Sequence, residues 1–314
     1  MPAFNAVNHI AGPAILTFDS QVWYTEGDID VDIQQAEWEP QSSRYGNLGP
    51  RIRSLPVARV SFKPDGQVTS GRASKAFPYT LASVGASVFA AVDKTLVIQT
   101  LAGQAYTFGK AALIQSPTLV LSASKTFFDG SMVFMCLTKT NVDPTTTDSF
   151  LDIAAVAFSE TTFDETKILS PGYTAALGAV SGLTAIESLD GFRIELPIRV
   201  QELSVDRFGV IGAHLTGLGP AVCRFTPAGL TEAIWLTLVN LDGASVRLPG
   251  QTTAGTNDLV ISGTGITVTI PDVGVQASKL GFGSAKERLG EVVCHSKALF
   301  TVGVPGSLLT ITIS

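Results

Sequence analysis

The sequence predicts an all-β protein made of two tandem, internally duplicated lobes, each a β-sandwich or barrel with one flanking helix. Three observations predict it. An ungapped internal repeat divides the chain, apolar and polar residues alternate with period two, and Gly, Pro, Asn and Asp separate the short apolar runs. Alternation turns one side of a segment to a core and the other to water. Turn residues at short intervals are what sandwiches and barrels require.

The repeat comes first because it sets the architecture. Residues 41–66 lie over 204–229 at a constant offset of 163, with identities at Arg44/Arg207, Gly46/Gly209, Gly49/Gly212, Leu55/Leu218, Ala58/Ala221, Phe62/Phe225, Pro64/Pro227 and Gly66/Gly229. Leu96-Val97-Ile98 falls on Leu259-Val260-Ile261 at the same offset. Ile29, Val31 and Ile33 fall on Phe192, Ile194 and Leu196, and Leu119 to Lys125 resembles Leu280 to Lys286 after a shift of two. The expected lobes are 14–140 and 189–314. The Thr-, Ser-, Asp- and Pro-rich stretch 141–188 between them reads as linker and edge structure.

Along each lobe, Ile29 to Ile33, Val57 to Phe62, Leu119 to Ser124 and Ile266 to Ile270 alternate as strands. The first places Asp28, Asp30 and Asp32 on one face and assigns Ile29, Val31 and Ile33 to the buried face. Helix windows are Thr231 to Asn240, after a Pro-Ala-Gly turn and with Thr231 as N-cap, and Leu81 to Val92, diluted by Gly85 and Val88. A long Gly/Pro-broken arm follows the first strand in each copy, 42–56 and 205–219. Arm one is basic: Arg44, Arg51, Arg53, Arg59 and Lys63 fall within 40–64, which holds no acidic residue. Equal length in both copies argues for a docking role over an idle solvated loop.

Charged residues are only 15% of the 314, against a usual figure of about 25%. Such a neutral surface suits a chain that covers itself with further copies. The net charge of −6 excludes a globally basic nucleic-acid binder. Cys136, Cys223 and Cys294 match no zinc pattern or disulfide framework and read as buried free thiols. His9, His214 and His295 stand in no nucleophile motif. Asp28, Asp30, Asp32 and Glu39 begin like a calcium loop, but Ile33 replaces the required glycine. No catalytic residue, metal or cofactor is expected, and the chain is not read as an enzyme. The N-terminus carries no signal-peptide pattern and no apolar run is long enough to span a membrane, so a cytoplasmic origin is expected.

Thr17-Phe-Asp, Tyr24-Thr-Glu-Gly-Asp-Ile, Arg44-Tyr-Gly-Asn-Leu-Gly and Val60-Ser-Phe-Lys-Pro-Asp-Gly resemble the tail tube (major tail) proteins of long-tailed bacteriophages. Leu218-Gly-Pro-Ala and Asn257-Asp-Leu-Val-Ile-Ser-Gly-Thr-Gly are similar to the same family. The resemblance implies a sandwich with a flanking helix, as in type VI secretion tubes, in rings that stack into a hollow virion tube assembled in the host cytoplasm. It implies inter-ring stacking by the arms, through Arg44, Tyr45, Gly46, Arg51 and Arg53 in copy one and Arg207, Phe208 and Gly209 in copy two. Asp28, Asp30 and Asp32 are expected to face the lumen, through which double-stranded DNA passes without tight binding. Further partners implied are the chain itself, a tape measure, a tail terminator and distal tail proteins. Three two-lobe chains would give a homotrimer with pseudo-six-fold symmetry; six chains per ring remain open. The alternatives are a capsid decoration protein or adhesin and, third, a carbohydrate-binding module.

Overall fold

A computed structural model describes residues 14–313 apart from 36, 50, 53–54, 66–67, 90–93, 123–125, 139–149, 159–171, 178–182, 207–208, 229–257, 264, 278–279, 283–286, 297–299, 302–303 and 306. The fold is all-β. The first half carries β1 (Ala14–Phe18), β2 (Gln21–Thr25), β3 (Asp30–Gln34), β4 (Glu37–Trp38), β5 (Gln41–Ser42), β6 (Gly46–Asn47), β7 (Arg51–Ile52), β8 (Val57–Phe62) and β9 (Pro64–Asp65). Helix α1 (Ser70–Ala76) follows, then a 3-10 turn at Leu81–Ser83, β10 (Lys94–Thr100), β11 (Gln104–Gln115), β12 (Thr118–Leu121), β13 (Thr126–Asp129), β14 (Met132–Leu137) and β15 (Leu151–Ala155). The second half carries β16 (Thr174–Leu177), β17 (Ile186–Ser188), β18 (Phe192–Glu195), β19 (Ile198–Val205), β20 (Gly209–Leu218), β21 (Val222–Phe225), β22 (Pro227–Ala228), β23 (Leu259–Gly263) and β24 (Ile266–Ile270). It continues with β25 (Val273–Ala277), β26 (Leu280–Phe282), β27 (Glu287–Leu289), β28 (Val292–Ser296), β29 (Phe300–Thr301), β30 (Val304–Pro305) and β31 (Thr310–Ile313).

Three large sheets result. One runs β3-β8-β14-β11-β10-β1-β2-β9 with β15 also on β11; a second runs β13-β12-β18-β21-β28-β25; a third runs β22-β17-β16-β23-β24-β31. The strand registers of the two halves coincide. Asp30↔Ser61 and Val31↔Val60 become Arg193↔Arg224 and Ile194↔Cys223 when 163 is added to every number. The same addition carries Tyr24↔Asp65 onto Glu187↔Ala228. Phe62 opposes Met132 on β14, and Phe225 opposes Val292 on β28.

The halves differ where the sequence inserts a proline. β11 runs unbroken and serves both ends of its sheet, pairing with β14 and β10. Its counterpart is split at Pro271-Asp272 into β24 and β25, which lie in different sheets. Pro271 has no N–H to donate to a ladder. Asp272 turns the chain at φ 46, its N–H held by the Asp258 carboxylate at 2.9 Å. One nine-stranded sheet therefore corresponds to two six-stranded ones.

A continuous core joins both halves. Phe18 and Phe134 rings lie 4.6 Å apart, Trp23 and Phe128 5.6 Å, and Phe192 and Phe225 5.1 Å, within the range of favourable aromatic pairs. Arg72 of α1 is buried, donates from Nε to the Val22 carbonyl at 2.8 Å and lies over the Trp23 and Tyr24 rings. Thr69 caps α1 by accepting from the Arg72 N–H.

Two expectations need amendment, and a third is untested. The Leu81 to Val92 helix window opens as a 3-10 turn at Leu81–Ser83 ahead of Gly85 at φ 87; Val88 and Phe89 are helical, residues 90–93 lie outside the described residues, and an α-helix that the sequence reading did not place lies earlier, at Ser70–Ala76. The Thr231 to Asn240 window lies outside the described residues. The stretch 141–188, read as linker and edge, does contribute the edge strand β15. It also contains β16 and β17, which sit inside the third sheet.

Candidate assembly surfaces

Within the chain, the β12–β13 hairpin leaves the first half and pairs along β18 of the second. Leu119, Val120 and Leu121 oppose Ile194, Arg193 and Phe192. Leu119, Val120, Leu121, Phe192 and Ile194 are all buried. Asp129 anchors the hairpin end, 3.2 Å from Arg193 Nη1 and 3.7 Å from Lys63 Nζ, so it joins a cation from each half. Partial burial raises the Asp129 pKa. The Gly130 N–H and the charges of Lys63 and Arg193 outweigh this and hold it below the ordinary value. A carboxylate depressed in the folded state contributes stability above its unfolded pKa, about 3.9, and loses it as pH falls through the folded value. Urea midpoints should therefore drop more steeply below about pH 4 in the parent than in Asp129→Asn, whose midpoint at neutral pH is already lower.

The arms are built alike and used differently. In copy two the arm is an antiparallel ribbon, β19–β20, with Gln201↔His214 and Val205↔Gly209 in register. In copy one the same register appears 163 residues earlier, Trp38↔Arg51 on β4–β7 and Ser42↔Gly46 on β5–β6. Gly46 and Gly209 close the two turns at φ 72 and 74, where a side chain would be strained. The expectation of a Gly/Pro-broken loop at 205–219 is thus corrected: Gly209–Leu218 is one continuous strand with two shifts of register. Ala213 and Leu215 of β20 are fully buried in a second apolar cluster with Val57, Tyr79, Phe89, Met135 and Leu137 of the first half. The Leu215 N–H also donates to the Ala86 carbonyl and the Leu215 carbonyl accepts from the Gly85 N–H, and Arg59 bonds Glu202 at 2.7 Å. Burial of Tyr79 pushes its phenol pKa up, and its hydroxyl donates to the Leu113 carbonyl at 2.6 Å. The apolar side of this strand is thus committed within the chain. Arg207 and Phe208, which the stacking expectation names, lie outside the described residues, as does Arg53.

Arm one projects. Tyr45 is 68% exposed, with the Arg44 guanidinium 5.2 Å from its ring centre. The tip is nonetheless ordered by its own polar groups. Ser42 Oγ accepts from the Arg44 and Tyr45 N–H groups, and Asn47 donates to Glu39 at 3.0 Å and accepts from the Gly49 N–H. The sequence explains the contrast: Ala213 and Leu215 are replaced by Pro50 and Ile52, and Val200 and Val210 by Glu37 and Asn47. Arm one lacks the apolar stripe that docks arm two.

β3 is an edge strand, and all five of its residues are exposed. Asp30 and Asp32 stand opposite Ser61 and Arg59, and Gln34 donates to Asp32 at 2.7 Å. Alternation aims Val31 and Ile33 to the side of buried Val60 and Ala58, as expected. They are nevertheless 40% and 48% exposed, so the expectation of burial is corrected. An edge strand has a neighbour on one side only, and among the described residues no strand pairs with the other.

Among the described residues no group of three His, Cys, Asp or Glu could hold a metal ion. Cys223 and Cys294 oppose each other on β21 and β28 as free thiols, and burial pushes both well up, Cys294 to about 12. A thiol so raised is a poor nucleophile. The surfaces that remain are a projecting basic arm, an open acidic edge and a strand-pairing junction. No protein-family model matches the chain, and no curated protein matches it significantly.

Proposed function

We propose that the chain is the structural subunit of a bacteriophage tail tube, with three chains closing a ring of six duplicated lobes and rings stacking into a conduit for genomic DNA. What supports the reading is the coincidence of strand register across the two halves at an offset of 163, arms included. Two equivalent lobes in tandem, joined by a heterologous contact, are the material of a cyclic assembly. The motif resemblance adds the tail tube in particular. The subunit would reside in the virion tail after assembly in the host cytoplasm, with a tape measure, a terminator and distal tail proteins as further partners.

A conduit must not grip its cargo. Each phosphate neutralised adds affinity, and identical rings multiply it along the duplex. A chain of net charge −6 lets DNA slide. Arm one, with Arg44, Tyr45, Gly46 and Arg51, is the stacking element on this reading. Negative-stain microscopy of the purified chain tests it: hollow rings or tubes are expected, and compact monomers under all conditions count against it.

A further inference from the structure

We propose that the β26–β27 hairpin of one chain pairs along the open edge of β3 on the next chain, repeating between chains the junction that joins the halves within one. The inference rests on the ring reading above and names the contact that closes the ring. Within the chain, the donor is β12–β13 and the acceptor is β18. β26–β27 is the second-half counterpart of the donor, since Leu119↔Phe128 becomes Leu280↔Leu289 when 161 is added to each number. β3 is the first-half counterpart of the acceptor at an offset of 163. Among the described residues, β26–β27 pairs with no other strand and β3 has no partner on its outer edge. The chain thus carries one used pair and one unused donor and acceptor, on opposite halves.

The transferred register places Leu280 opposite Val31, Gly281 opposite Asp30 and Phe282 opposite Ile29. The apolar positions agree with the template: Leu119 and Leu121 of the donor become Leu280 and Phe282. On the acceptor side, Val31 and Ile33 are exposed, whereas their counterparts Ile194 and Leu196 are buried. An exposed strand edge with apolar side chains is a template for strand addition.

Charge distinguishes the two junctions. Within the chain the acceptor edge offers Arg193 and the donor Asp129. At the open pair the signs are swapped: the edge offers Asp28, Asp30 and Asp32, and the sequence 279–288 holds three basic residues, Lys279, Lys286 and Arg288, and one carboxylate, Glu287. Arg288 stands opposite Gly281, so it shares a row with Asp30 across a residue that has no side chain. Each donor is thereby matched to one edge and repelled from the other, which fixes the order of lobes around the ring. The acidic stripe belongs on this account to the seam between chains.

Cysteine pairs in the full chain test the contact. Adjacent cross-strand positions alternate between hydrogen-bonded and non-hydrogen-bonded geometry, so Val31→Cys with Leu280→Cys and Asp30→Cys with Gly281→Cys are both made. One of them should give covalent oligomers on a non-reducing gel, while Val31→Cys with Leu289→Cys, in the same row but one strand further away, should not. Rings or tubes in the microscope from which neither pair cross-links would overturn this contact and leave the ring reading standing. Cross-linked open chains without rings would keep the contact and remove the ring. Asp30→Arg, at an exposed position, should raise the protein concentration needed for assembly at least ten-fold, and Arg288→Asp in the same chain should restore it. Assembly undisturbed by Asp30→Arg overturns the proposal, as does a chain that stays monomeric and uncross-linked at every concentration tested.

Discussion

Leu215→Asp should destabilise the chain by about 4 kcal/mol, with Tm falling on the order of 10 °C. Truncating a buried leucine costs about 2–5 kcal/mol, and an unpaired carboxylate in an apolar site adds a desolvation penalty. Leu215 is fully buried at the centre of the cluster that seats the second arm on Val57, Phe89 and Met135 of the first half. The comparison is Leu48→Asp in the first arm. Leu48 is 47% exposed, and a surface change of that kind shifts stability by about 0.5 kcal/mol or less. Thermal unfolding by circular dichroism reads both. Equal losses would mean that the two arms are packed alike, contrary to the burial pattern.

The two arms also mark the limit of what the sequence made legible. The repeat at 163 was readable because strand alternation and turn glycines are local properties, and they carry directly into the registers of β3–β8 and β18–β21. The ribbon β19–β20 was not readable as regular structure. Gly209, Gly212, Gly217, Gly219 and Pro220 signal a broken segment, and register shifts after Arg199 and Leu203 interrupt the alternation. Its burial comes from a surface more than 70 residues away in the chain, which no window detects. Helix α1 escaped for the opposite reason: seven residues beginning Ser-Gly offer too short a period, and what fixes it is the Thr69 cap and Arg72 reaching Val22. β16 and β17 were hidden in a polar stretch because half of their pairing partners lie beyond residue 226. For the candidate surfaces, composition gave the acidic stripe and the basic arm. Only topology shows that the stripe lies on an open edge and that arm two is already occupied.

Deleting residues 41–47 should abolish tube elongation while leaving a folded, ring-forming chain. The excision joins neighbours that already touch, since the Leu48 N–H donates to the Pro40 carbonyl at 3.0 Å. The β4–β7 ladder remains to close the shortened hairpin, and among the described residues arm one contributes none to either buried cluster before Val57. Loss of exposed loop tip is well tolerated for this reason. What is removed is the projecting Tyr45 with Arg44 alongside it, the aromatic–cation pair that suits an interface anchor. Single Arg→Ala changes should be mild, because exposed ion pairs contribute only about 0–1 kcal/mol each. Tyr45→Ala should shorten tubes without eliminating them. Tm within about 2 °C of the parent establishes that the deletion is folded, and negative-stain length distributions then read the function: single rings or short stacks are expected. Long tubes from a folded deletion variant would place stacking on another surface and free the arm of that role.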